Sequence, residues 1–347
     1  MAFSTINKSS LHQNNIIYTG TNSGETVSGV GFQPDLNWTK QRTGTENHVL
    51  VNSVRGVTKT LYSNTTDDDG AVSDGLTAFN SDGYVHGSNN AYCEASNTFV
   101  SWNWKANGSG SANTDGSINS TVSANTTAGF SIVQYQSDGT DPSTVGHGLG
   151  VVPQMIITKV VSASGDNWKV YHAGSGNTKV LELNSTIAQT TSDAWNVTTP
   201  TSSVFTVGND GATNGSGKTI IAYCFAENDS RMFKTGTYVG NANTDGIFIN
   251  TMMRPSLVLI KYYTGAGQDW YINTNAVNGY NVQDNFLAPN EPAAEVVDNT
   301  AMPIDMLSNG FKIRGTGNGV GGNGNGYIYM AWGQPIVSNS GIPATAR

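Results

Sequence analysis

Short apolar runs alternate with polar residues along most of the chain, and turn residues interrupt them every few positions. Between residues 35 and 40, Leu36, Trp38 and Lys40 fall on one face and Asp35, Asn37 and Thr39 on the other. That period of two is the mark of a half-buried strand. Asp-Gly and Asn-Gly pairs separate the runs, among them Asp69-Gly70, Asp82-Gly83, Asn107-Gly108, Asp138-Gly139, Asp245-Gly246 and Asn309-Gly310. Such pairs suit tight hairpins whose central residues need positive φ. No long segment keeps a 3.6-residue period with good helix formers, so at most a short turn of helix is expected, near residues 291–297.

Three blocks recur in the same order. A proline opens a strand that ends in lysine: Pro34-Asp35-Leu36-Asn37-Trp38-Thr39-Lys40, Pro153-Gln154-Met155-Ile156-Ile157-Thr158-Lys159 and Pro255-Ser256-Leu257-Val258-Leu259-Ile260-Lys261. A Ser-initiated turn then leads to Tyr84, Phe205 or Phe311, and an aromatic strand closes each copy at Trp104, Phe225 or Trp332. From the proline to the closing aromatic the separations are 70, 72 and 77 residues. The pattern predicts an all-β chain of three tandem, diverged β-sandwich-like repeats, jelly-roll or Ig-like, of roughly 100 residues each. The expected boundaries are an N-terminal arm (1–15), repeat one (16–106), a Gly/Ser/Asn/Thr-rich linker or long hairpin (107–129), repeat two (130–227), repeat three (228–333) and a C-terminal tail (334–347).

In the closing strands, Val100, Trp102 and Trp104 share a face, as do Ile221, Tyr223 and Phe225, and Ile328, Met330 and Trp332. These are the expected core faces, with the small Asn103, Cys224 and Ala331 turned to a close neighbour. In the proline strand, Asn37 corresponds to Ile156 and Val258. One face is therefore expected to be covered in repeats two and three and left wet in repeat one.

Composition narrows the function. Charged residues are 12% of the 347, against about a quarter in ordinary domains. The 14 Tyr, 11 Phe and 7 Trp argue against disorder. A net charge of −8 argues against nucleic-acid binding through a basic surface. No apolar run is long enough for a transmembrane helix, so no membrane insertion is expected. Met1-Ala2-Phe3-Ser4-Thr5-Ile6-Asn7-Lys8 does not read as a signal peptide. Two cysteines do not make a disulfide framework, which fits synthesis in a reducing cytoplasm.

Candidate chemistry is sparse. Gly317, Gly319 and Gly322 match GxGxxG, but a strand follows them where a dinucleotide site needs a helix, so a flexible hairpin tip is expected. Asp67-Asp68-Asp69-Gly70 offers carboxylates to Ca²⁺ without the spacing of an EF-hand, and reads as a solvated acidic turn. His12, His48, His86, His147 and His172 show no metal-ligand spacing, and neither Cys93 nor Cys224 lies near one in sequence. No G-x-S-x-G elbow is present. A glycosidase needs two convergent carboxylates, and nothing singles out a pair. No catalytic residue, metal or cofactor is expected. Trp168 and Trp270, at equivalent places in repeats two and three, are candidate sugar-stacking platforms, with core packing as the alternative; the corresponding stretch of repeat one, at Asn47-His48, has no tryptophan.

Several blocks together resemble a β-rich domain family of marine bacteriophage virion proteins: Gly31-Phe32-Gln33-Pro34-Asp35-Leu36, Asn52-Ser53-Val54-Arg55-Gly56, Ser81-Asp82-Gly83-Tyr84 and Phe99-Val100-Ser101-Trp102-Asn103-Trp104-Lys105-Ala106. Residues 121–133, the stretch Val145-Gly146-His147-Gly148-Leu149-Gly150, the start of the chain and its end, Pro343-Ala344-Thr345-Ala346-Arg347, are similar to those proteins too. The resemblance implies a non-enzymatic structural protein on the virion exterior: a tail fibre, spike or capsid-surface protein. Its implied partners are other virion proteins and, through its loops, a host-surface glycan. A capsid decoration protein without a receptor role and a polysaccharide depolymerase are the alternatives. The expected assembly is a homo-oligomer, first of all a trimer, unless the three repeats form a pseudo-threefold unit within one chain.

Overall fold

The computed structural model describes residues 4–341 and 343. They form an all-β fold of several open sheets, with single-turn helices at Ser9–Leu11, Asn90–Cys93 and Gly211–Asn214. No helix forms at residues 291–297. Val296 instead bridges to Phe286 in extended backbone, and the Glu295 carboxylate pairs with Arg42 at 2.7 Å.

Three large antiparallel sheets each belong to one part of the chain, called here N-terminal, middle and C-terminal. The strand order is the same in all three: an opening strand, the closing aromatic strand, the proline strand and a fourth. In the N-terminal part these are Gln13–Thr19, Thr98–Trp104, Leu36–Gln41 and Val49–Asn52. In the middle part they are Phe130–Gln136, Thr219–Phe225, Met155–Val160 and Lys169–His172. In the C-terminal part they are Phe233–Val239, Gly326–Pro335, Met253–Tyr262 and Trp270–Thr274. Three small sheets complete the fold, at Glu25–Ser28 with Gly83–His86 and Leu76–Asn80, at Ser143–Gly146 with Val204–Val207, and at Phe248–Asn250 with Gly310–Ile313 and Ile304–Leu307.

The segment 107–129 is a hairpin rather than a linker. Its strands Ser111–Asn113 and Ser120–Asn125 extend the middle sheet outside Phe130–Gln136. The ends are not loose either. Gln13–Asn15 belong to the opening strand, and Ile6 is buried against Ala128 and Met232. The Asn339 N–H donates to Ile6 O at 2.9 Å, and the Ser340 N–H to Asn7 Oδ1 at 2.8 Å. Of the expected arm and tail, residues 1–3, 342 and 344–347 lie outside the described residues.

One face of each large sheet points into a single shared core. Leu36, Trp102 and Trp104 meet Met155, Tyr223 and Phe225 there, together with Leu257, Met330 and Trp332. Each of these side chains contributes on the order of 1.5–3 kcal/mol by leaving water. A small, wholly apolar cavity of about 20 Å³ remains at the centre, bounded by residues of all three parts. The opposite face of each large sheet packs against its own small sheet. Val51 covers Tyr84 in the N-terminal part, Ile156 meets Phe205 in the middle part, and Val258 meets Phe311 in the C-terminal part.

Asn37, Ile156 and Val258 are all fully buried, so the expected wet face of the N-terminal part does not exist. A polar network replaces the apolar contacts there. Asn37 Nδ2 donates to Asn103 Oδ1 at 2.9 Å, Thr39 Oγ1 donates to Asn37 Oδ1 at 2.9 Å, and Asn103 Nδ2 reaches Ser101 Oγ at 3.1 Å. Buried amides are tolerated when they satisfy one another. The cross-strand pair Asn37/Asn103 stands where the other sheets have Ile156/Cys224 and Val258/Ala331. Asn37→Val alone should therefore cost about 1–3 kcal/mol, the penalty of an orphaned buried partner. Adding Asn103→Ala should restore part of that loss, and urea denaturation of the two variants would show it. A double variant less stable than the single one would refute this account.

Candidate functional site

Trp168 and Trp270 lie inside the shared core with no exposed surface, so in the folded chain neither indole presents a face to a sugar. Each indole N–H instead donates across to the preceding part of the chain. Trp168 Nε1 reaches Tyr62 O and Trp270 Nε1 reaches Glu182 O, both at 2.9 Å. His48, equally buried, occupies the corresponding place in the N-terminal part and accepts from Trp38 Nε1 at 3.1 Å.

An asparagine clamps each of the three positions. The His48, Trp168 and Trp270 backbone N–H groups donate to Asn64, Asn184 and Asn290 Oδ1 at 3.1, 3.0 and 2.9 Å. The Nδ2 groups of those asparagines return to Asn47, Asn167 and Asp269 at 2.7, 2.9 and 2.6 Å. Sequence reasoning missed these clamps. Their signal was the dipeptides Asn47-His48, Asn167-Trp168 and Asp269-Trp270, each followed by an asparagine 16 to 20 residues on.

The lysine that ends each proline strand is fully buried. Lys40 Nζ donates to Gln41 and Gly44 carbonyls at 2.7 and 3.0 Å, Lys159 to Thr66 and Asp166 at 3.0 and 2.9 Å, and Lys261 to Ser185 and Gln268 at 3.2 and 2.6 Å. Burial pushes all three ammonium groups down to about 8. Two of them cross a junction: Lys159 caps a loop of the N-terminal part and Lys261 a loop of the middle part. They hold loop backbone in place and, among the described residues, face no acidic partner at salt-bridge distance.

The other singled-out residues are structural as well. Asp69 pairs with Arg55 at 2.6 Å, while the Asp68 N–H donates to Ser164 Oγ at 3.1 Å, so the acidic turn docks onto the middle part and only Asp67 and Asp68 are exposed. His147 is buried between the Thr201 carbonyl at 3.1 Å and the Leu149 N–H at 3.2 Å. The glycine tract is a packed turn and not a flexible tip. A Cβ on Gly321 would strike the Gly315 carbonyl, and one on Gly319 would strike Met302 and Tyr271.

The three junctions between parts differ in one respect. Between the N-terminal and middle parts, the residue after the proline is Asp35. Its carboxylate accepts from the Ala106 and Gly108 N–H groups of the crossing chain at 2.7 and 3.1 Å. Between the middle and C-terminal parts, Gln154 Oε1 accepts from the Glu227 N–H at 2.7 Å. At the junction between the C-terminal and N-terminal parts, the Ser4 and Thr5 N–H groups donate to Val337 and Asp229 carbonyls at 3.3 and 3.1 Å, and the equivalent residue is the short Ser256. Its Oγ reaches Gln13 Oε1 at 3.3 Å and Trp332 O at 3.2 Å. The register of this strand against the closing strand shifts between Pro255 and Leu257.

A groove of about 470 Å³ is left open at that junction, within the usual range of small-ligand sites. Gln13, Asn14, Asn15, Ser256, Asn275 and Gln334 are among its polar lining residues, and none of the described residues that line it is a carboxylate. Its amides hold one another. Asn15 Nδ2 donates to Ser256 O and Thr274 Oγ1, both at 3.1 Å, and Gln334 Oε1 accepts from the Ser9 N–H at 2.9 Å. Beside it, a smaller hollow shares Arg254, Asn275 and Gly279 and is bordered by Tyr280, which is 83% exposed. Nothing in the sequence marked this groove, because its residues come from separate stretches at 8–15, 254–279 and 334.

No curated protein matches this chain, and no solved structure does. Residues 8–335, nearly the whole chain, match the family model described as a domain of unknown function, DUF7483, and the chain belongs to that family.

Proposed function

We propose that this chain is a non-enzymatic structural component of a bacteriophage particle, carried on the exterior as a tail-fibre or spike-like module that attaches to host-surface glycan. The observation that carries the reading is the shared core. Three parts with the same strand order, the same lysine caps and the same asparagine clamps bury their aromatic faces together. We infer three diverged copies of one two-layer β unit around a pseudo-threefold axis. Such a body resists shear, and its loops are free to recognise a surface. The resemblance of its sequence blocks to phage virion proteins points to the place of action.

Because the copies already satisfy one another, the chain is expected to be a monomer, with a mass near 36.6 kDa by sedimentation. A mass three times larger would favour the homotrimer instead. The depolymerase reading has less behind it, since no described residue lining the groove belongs to a carboxylate pair of the kind glycoside hydrolysis uses. Immunogold labelling of purified particles with an antibody to this chain tests the proposal. Label on the tail or its fibres supports attachment, and label over the shell favours decoration without a receptor role. Absence of the chain from purified particles by mass spectrometry would overturn the proposal.

A further inference from the structure

The outer edges of the three large sheets are finished differently. In the middle part the opening strand Phe130–Gln136 is flanked by Ser120–Asn125, which runs antiparallel with Thr121 opposite Gln134 and Ser123 opposite Ile132. In the other two parts the opening strands Gln13–Thr19 and Phe233–Val239 are the last of their sheets. Gln13, Phe130 and Phe233 pair with the closing aromatics Trp104, Phe225 and Trp332, so Ile17, Gln134 and Thr237 are equivalent positions. Two bonds fix the direction of the N-terminal strand: the Lys105 N–H donates to His12 O at 2.8 Å and the Gly20 N–H to Asn97 O at 2.9 Å. The even-numbered residues between them therefore bond to the closing strand, and the backbone groups of Ile17 and Thr19 point out of the sheet. Among the described residues no neighbouring strand takes them.

Nothing guards this edge. Edge strands are normally kept from pairing by charge, proline or short length. Phe233–Val239 carries Lys234, and the Glu227 carboxylate takes the outward Thr235 N–H at 2.9 Å. The strand that ends the middle sheet, Ser111–Asn113, is three residues long. Gln13–Thr19 has seven residues and no charge, proline or glycine. Its side chains are left half covered too. Ile16 and Tyr18, packed against the core between the N-terminal sheets, are only half-buried, whereas their counterparts Val133 and Tyr135 are buried beside Val122 of the added strand.

We propose that the outer edge of Gln13–Thr19 takes an extended segment of another polypeptide as an added antiparallel strand. The occupant is of the kind that the middle part supplies to itself: uncharged, with an apolar side chain like Val122 opposite Ile16 and serine or threonine on either side. Backbone bonds to Ile17 and Thr19 give the attachment, and the apolar side chain gives the register. The source of the segment, a neighbouring protein of the particle, rests on the virion reading above. The edge itself is tested on the purified chain.

The probe is a synthetic peptide with the sequence of residues 117–126, and the readout is hydrogen exchange of the full chain, resolved by residue with NMR. With millimolar peptide, the Ile17 and Thr19 amides should exchange at least tenfold more slowly, and the Thr237 and Val239 amides at their former rates. The same peptide with Ser123→Pro, which lacks an N–H on the pairing side, should protect neither. In the chain, Ile17→Pro takes away an N–H that its own sheet leaves unused and should abolish the protection of Thr19 with the urea midpoint unchanged. Ile17→Lys, which keeps the backbone and sets a charge at the edge, should weaken peptide binding at least fivefold. No protection by the peptide, equal protection at Thr237, or protection untouched by both variants would overturn the proposal. So would a doubled mass in sedimentation that Ile17→Pro returns to the single chain, since the edge would then belong to a second copy. In purified particles the fragment 13–19 should be protected as well. Particles that contain the chain with this fragment exchanging as fast as in the free chain would overturn the proposal. Particles without the chain would remove the virion reading, and the peptide result would decide the edge.

Discussion

Replacing Trp332 by alanine should lower the stability of the entire chain by about 3–5 kcal/mol, the range for emptying a buried tryptophan site. The reason lies in whom Trp332 touches. Its ring lies 5.6 Å from Trp104 of the N-terminal part, 5.4 Å from Phe225 of the middle part and 5.1 Å from Phe233 of its own part. Trp104 and Phe225 also meet each other at 6.2 Å. Beads on a string would confine the damage to the C-terminal part. With one shared core, the cavity is felt by all three, and calorimetry should record a single transition moved to lower temperature. Two transitions, with only one displaced, would show that the parts unfold independently and that the shared core does not couple them.

Stability should also climb as pH rises from about 4 to 6.5. Burial holds the His172 imidazole down at about 4. Its Nε2 faces Tyr329 O at 3.3 Å and its Nδ1 accepts from the Gly174 N–H at 3.0 Å. In the unfolded chain the same ring takes its proton near 6.5. Between those two values the unfolded state holds more protons, so acid favours unfolding and the loss is complete below about 4. At about 1.4 kcal/mol per unit, His172 alone is worth up to about 3 kcal/mol. His12, His48, His86 and His147 are displaced downward by burial too and add to the slope. Asp35 and Asp69, raised by burial, oppose it in the carboxylate range. Urea midpoints at pH 4.5, 5.5 and 6.5 should rise in the native chain and rise less in His172→Gln. Parallel slopes would acquit His172.

The three buried lysines extend the same reasoning to alkali. Each gives up its proton near 8 when folded and near 10.5 when unfolded. Stability should therefore rise again from pH 8 to 9, before the Cys224 thiol, pushed up to about 12 by burial, begins to act in the opposite sense. A neutral amine still has two N–H bonds, enough for the two carbonyls that each lysine serves.

Much of the strand layout was legible in the sequence because period and spacing are local properties. Val100, Trp102 and Trp104, with their counterparts, are the buried face they were expected to be. What remained hidden depends on pairs distant in the chain. Asn37 reads as a wet position until Asn103, 66 residues away, is placed against it. Trp168 and Trp270 look the same in sequence whether they face a sugar or a core. The segment 107–129 has the composition of a linker, yet Val122 and its neighbours find a sheet edge to join. The groove was least visible of all, since its lining brings residues 8–15 together with residues 254–279 and 334.

The pairing of the two ends, at Ile6 with Asn339 and Asn7 with Ser340, has a topological consequence. It joins the first part to the last as the continuous chain joins the others, so each part is held on two sides and none can detach without breaking contacts to both of its neighbours.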